Sequence, residues 1–95
     1  MPYIAQKHRP RLDEHIERLA EEIKKIAEEE GDKEVSFAGL LNYACTRLAL
    51  KVIPGRRYWA IALITGVFKN IADEFYRRYG VPYEEEKIRE NGDVY

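Results

Sequence analysis

The sequence predicts an all-α fold: a bundle of three principal helices plus a short C-terminal helix, paired with a second copy. Three observations carry this. Apolar residues recur at spacings of three and four along most of the 95 residues. Proline and glycine punctuate the chain at Gly31, Pro54-Gly55, Gly80–Pro82 and Asn91-Gly92. No segment alternates convincingly with a period of two; only the ends, PYI and DVY, have the character of two short pairing strands.

The first helix is predicted from about Arg11 to Glu30. Leu12, Ile16, Leu19, Ile23 and Ile26 form a narrow stripe of coiled-coil type. Pro10 suits the first turn, Asp13 and Glu14 favour the positive end of the helix dipole, and Glu14–Arg18 and Glu21–Lys25 are pairs in the favourable order. Gly31 can take the left-handed conformation that ends a helix.

The second helix is predicted to start with Ser36 as N-cap, with Val35 and Leu40 at the spacing of a hydrophobic staple. Phe37, Leu40, Leu41, Ala44, Leu48 and Val52 are its expected buried face, and Pro54-Gly55 ends it. The third helix, from about Arg57 to Tyr79, presents Ile61, Ile64, Phe68, Ile71, Phe75 and Tyr79, widened by Ala60, Leu63 and Val67. Its first half is apolar nearly all round, which predicts a central helix or a subunit interface. Gly66 in its middle suggests a close helix crossing. Gly80 is expected to cap this helix and Pro82 to prevent its continuation; a fourth helix then runs from about Tyr83 to Glu90 and stops at Asn91-Gly92.

Length bounds the chain to a single helical domain, residues 1–95, with one small core that a second copy would enlarge. One cysteine, Cys45, allows no internal disulfide and fits a reducing, cytoplasmic setting. Met1-Pro2-Tyr3-Ile4 does not read as the start of a signal peptide. The most apolar run, Tyr58 to Phe68, is too short to span a bilayer, so no membrane partner is expected. The net charge of -1 conceals a basic middle between acidic flanks: residues 11–34 carry -5, residues 35–81 carry +5 and residues 82–95 carry -3. Such segments complement one another within the fold or across a dimer.

The residues equip the chain poorly for catalysis. Ser36 is the only serine, Cys45 is remote in sequence from His8 and His15, and no His-x-x-x-His or Cys-x-x-Cys spacing occurs. Glu14 and Glu17 satisfy the first half of the Glu-x-x-Glu pattern of helical magnesium pyrophosphatases. The matching half fails, because Tyr76 and Arg77 stand three residues after Asp73 and Glu74. No catalytic residue, cofactor or metal is therefore assigned.

MPYI at the start, LNYACTRL at 41–48, EFYRR at 74–78 and PYEEEKIRENGDVY at 82–95 resemble a small, uncharacterised family of prokaryotic and phage proteins of about this length. The resemblance runs along the whole chain, and its most specific part is the terminal Lys87-Ile88 and Glu90–Tyr95 string. Residues 51–66, KVIPGRRYWAIALITG, depart from it and carry no shared motif, which weakens any function hung on Arg56, Arg57 or Trp59. The resemblance implies no established activity. It favours Asn42, Tyr43, Glu74, Tyr76, Arg77, Arg78, Tyr83, Glu84 and Asp93 as a shared functional or docking set. The acidic tail is expected to fold back at the Gly80–Pro82 corner, so that Glu84 or Asp93 meets Arg77 or Arg78 while Tyr83, Ile88, Val94 and Tyr95 pack onto the helical body.

The leading functional expectation is a non-enzymatic, homo-oligomeric interaction or assembly protein. Two alternatives stand beside it. One is a magnesium-dependent enzyme on a phosphate-bearing small molecule, using Glu74 or the tail carboxylates with Arg77 or Arg78. The other is a nucleic-acid binder using Arg56, Arg57, Arg77 and Arg78 beside Tyr58, Trp59, Tyr76 and Tyr79.

Overall fold

The computed structural model describes residues 2–95; Met1, which opens the MPYI string, lies outside the described residues. The fold is all-α. No strand forms among the described residues, so PYI and DVY do not pair. The chain divides into two compact units, one comprising Tyr3–Gly55 and the other Pro2 with residues 56–95.

The first unit is a helical hairpin. A single 3-10 turn, Gln6–His8, leads into α1 (Arg9–Glu29), and Pro10 occupies the first turn, where its missing N–H costs nothing. Arg9 folds back and donates from Nε and Nη2 to the Ile4 carbonyl at 3.1 and 2.9 Å, tying the leading segment to the helix. Gly31 takes φ 83° and its N–H donates to the Glu28 carbonyl, so α1 ends at the glycine the sequence marks.

The second helix begins earlier than expected. α2 spans Lys33–Val52, with Asp32 rather than Ser36 at the N-cap position. Ser36 N–H donates to the Asp32 carbonyl at 2.8 Å, so Ser36 already lies inside the first turn. The left-handed Gly31 turns the chain within one residue and delivers Asp32 to the N-cap position, where its carbonyl, not its side chain, accepts from the first turn. At the far end Ile53 is extended (φ -62°, ψ 127°), the conformation that Pro54 imposes on its predecessor.

α1 and α2 close on each other where Ala27, 2% exposed, lets the backbones approach. Ile23, Ile26, Leu40, Ala44 and Cys45 are half-buried, but Leu12, Ile16, Leu19, Phe37, Leu41, Leu48 and Val52 remain exposed. Within this unit the buried face expected for α2 is therefore only partly covered by α1.

The second unit is one long helix. α3 (Tyr58–Phe75) passes through a π turn (Tyr76–Gly80) directly into α4 (Val81–Asn91), giving 34 continuous helical residues. The expected stop at Gly80 and corner at Pro82 do not exist. Gly80 is right-handed helical (φ -75°, ψ -46°), and the Val81 N–H reaches back five residues to the Tyr76 carbonyl. The physical reason lies in the proline. A ring at position 82 removes one N–H and crowds the carbonyl four residues earlier. Widening one turn to the i→i+5 pattern accommodates both effects without ending the helix. A Cβ on Gly66 would meet nothing within 4 Å. No described helix is long and apolar enough to cross a membrane.

Candidate functional site

The C-terminal part of the long helix gathers most of the candidate set. At its end Gly92 takes φ 91° and ψ 147°, and its N–H donates to the Ile88 carbonyl at 2.8 Å. A side chain would be strained at this φ, so glycine is the residue that permits the reversal. The Tyr95 N–H then donates to Asp93 Oδ1 at 2.8 Å, which holds the last residues in a tight turn. The reversed segment and α4 enclose an open groove of about 450 Å³, lined by Tyr76, Glu84, Lys87, Ile88, Asn91 and residues 92–95. Tyr76, Glu84 and Asp93 of the candidate set thus share one groove.

The remaining members lie elsewhere. Glu74 and Arg77 form a bidentate pair one turn apart, with Arg77 Nε to Glu74 Oε1 at 2.6 Å and Nη2 to Oε2 at 2.9 Å. Arg78 lies on the same π turn. The Lys87 ammonium lies 5.5 Å from the centroid of the exposed Tyr83 ring and also reaches Glu90 Oε2 at 3.1 Å. Asn42 and Tyr43 belong to α2 in the other unit; the Asn42 carbonyl accepts the Thr46 hydroxyl at 2.8 Å, and Tyr43 is exposed.

The expected fold-back of the tail onto Arg77 and Arg78 requires the corner that the π turn replaces. The helix instead runs on to Asn91, and Arg77 is gripped by Glu74 one turn before it. Tyr83, Ile88, Val94 and Tyr95 are exposed rather than packed on a helical body. The reversal at Gly92 was legible in the sequence; what the tail reverses onto was not.

Two contacts escaped sequence reasoning. The Tyr76 ring lies over Gly80, and the Phe75 and Tyr79 rings stack with centroids 5.2 Å apart and planes 16° apart. Their signal is the Phe-Tyr-x-x-Tyr-Gly spacing followed by a proline two residues later, a pattern that by local rules marks a helix end.

Chemically, the groove offers two carboxylates, one ammonium, an amide and tyrosine rings, with no nucleophilic serine, cysteine or histidine among its lining residues. No three His, Cys, Asp or Glu residues among those described stand together as a metal-binding group. A smaller groove on α1 joins His8, Arg11, Leu12 and His15. A family model described as a domain of unknown function, DUF6899, matches residues 1–94. Neither a curated protein nor a solved structure matches the chain.

Proposed function

We propose that this chain, which belongs to the DUF6899 family, is a non-enzymatic homo-oligomeric interaction protein whose helices complete their core by associating with further copies of themselves. The observation that carries this reading is the near absence of a core. The only buried apolar residues among those described are Ala27 and Ala60, while 27 large hydrophobic residues are exposed. Single exposed apolar residues are ordinary on a protein surface, but whole helix faces of them are not.

The opposite charges of residues 11–34 and 35–81 favour a partner that carries both, which a second copy does.

Tyr58 and Trp59 are 87% and 60% exposed beside Arg56 and Arg57, which would suit stacking on nucleic-acid bases. Ile61 and Leu63 next to them are exposed as well, so this exposure belongs to the apolar face and does not select a nucleic acid. The prokaryotic or phage origin and the cytoplasmic setting suggested by the resemblance and the lone cysteine belong to the same proposal. Sedimentation equilibrium at micromolar concentration tests it: a dimer or larger species is expected, and a monomer would remove its main support.

A further inference from the structure

We infer that two copies pair antiparallel through α3, about a two-fold axis that passes between Phe68 and Ile71. This deepens the assembly reading above and rests on it.

The apolar stripe of α3 reads nearly the same in both directions. Ile61, Ile64, Phe68, Ile71, Phe75 and Tyr79 share one face of the helix at helical spacing. Reversing one copy about the midpoint sets Ile61 opposite Tyr79, Ile64 opposite Phe75, and Phe68 opposite Ile71. Ile64 is half-buried and the other five are exposed, so the α3 unit does not cover this stripe by itself. The Phe75–Tyr79 stack holds two of these rings in a fixed arrangement ahead of association, which lowers the ordering cost of the interface.

The charges at the two ends select the direction. The long helix is preceded by Arg56 and Arg57 and carries Glu84, Glu85 and Glu86 towards its other end. In the antiparallel register Arg56 of one copy faces Glu84 of the other, and Arg57 faces Tyr83 beside the three glutamates. A parallel pair would set the arginines against arginines and the glutamates against glutamates, a like-charge arrangement that interfaces avoid. The continuity of the helix through the π turn matters here. A corner at Pro82 would have carried the glutamates off the axis of α3; the π turn keeps them on it.

Cross-linking in a Cys45→Ser background, with Cys45 the only native thiol, tests the register. Under oxidation Ile71→Cys, next to the axis, is expected to give covalent dimer by itself. Ile61→Cys alone is expected to give none, and Ile61→Cys mixed with Tyr79→Cys is expected to give the mixed dimer. Self-cross-linking of Ile61→Cys, or its failure to join Tyr79→Cys in a sample that sediments as a dimer, overturns the antiparallel register and leaves the assembly reading standing. A monomer in the same sedimentation run overturns both. A charge swap guards against variants that fail to fold. Arg56→Glu with Arg57→Glu, or Glu84→Lys with Glu85→Lys, is each expected to raise the dimer dissociation constant about tenfold. All four changes together are expected to restore it. Persisting weakness of the fourfold variant, with helix content intact by circular dichroism, overturns the pairing.

Discussion

The ring of Tyr76 occupies the space where Gly80 would carry a side chain: a Cβ built on Gly80 would lie 2.7 Å from Cδ2, 2.9 Å from Cε2 and 3.2 Å from Cγ of that ring. Gly80 is therefore kept by packing and not by backbone conformation, since its φ and ψ suit any residue.

This relationship sets the sign of a substitution. Gly80→Ala gains helix propensity of about 1 kcal/mol, but the added methyl cannot coexist with the ring base and must displace it. The expected outcome is a net loss of about 1 kcal/mol or more in denaturant unfolding. In a Tyr76→Ala background the same change should become stabilising by about 0.5–1 kcal/mol, because only propensity remains. A double-mutant cycle without coupling would show that the ring does not rest on Gly80.

Pro82→Ala tests the π turn. A proline inside a regular α-helix costs about 3 kcal/mol. Here the turn has already widened, with Val81 bonded to Tyr76. Replacing the proline should thus shift stability by less than about 1 kcal/mol and leave far-ultraviolet ellipticity unchanged. A large gain in helix content would mean that Pro82 terminates a helix after all.

The other glycines divide by backbone. Gly31 and Gly92 have φ of 83° and 91°, so alanine at either should cost about 1 kcal/mol in thermal unfolding. Gly66 is helical with open space around it, so Gly66→Ala should raise stability by about 0.5–1 kcal/mol. Destabilisation at Gly66 would place another backbone against it.

Glu74 is the better-sheltered partner among the ion pairs. Its side chain is 25% exposed and grips Arg77 with both oxygens, whereas Glu14 is 61% exposed and makes a single bond to Arg18. Glu74→Gln should lower stability by up to about 1 kcal/mol and Glu14→Gln by less than about 0.5 kcal/mol, with both effects shrinking in high salt. Urea titrations at low and high ionic strength check the order.

The sequence made the helical periods, the stop at Gly31, the break at Ile53-Pro54 and the reversal at Gly92 legible, because each rests on a local rule about one or two residues. It misplaced the start of α2, since Asp32 and Ser36 are both competent caps and only the turn at Gly31 decides between them. It misread Gly80–Pro82 because the two residues that most often end helices are here accommodated by one widened turn and one overlying ring. The candidate site was legible in part. Tyr76, Glu84 and Asp93 converge, but their convergence depends on the helix running straight through the expected corner, which no local pattern signals.

Concentration dependence of the thermal midpoint bears most directly on the claim that folding and self-association are one process. A chain whose apolar faces are covered only by another copy unfolds at a midpoint that rises with protein concentration, by mass action. The account predicts an upward shift of several degrees between low-micromolar and hundred-micromolar samples, with a single cooperative transition throughout. A midpoint that stays constant over that range would mean that the exposed faces of α1, α2 and α3 need no second copy, and would contradict the account.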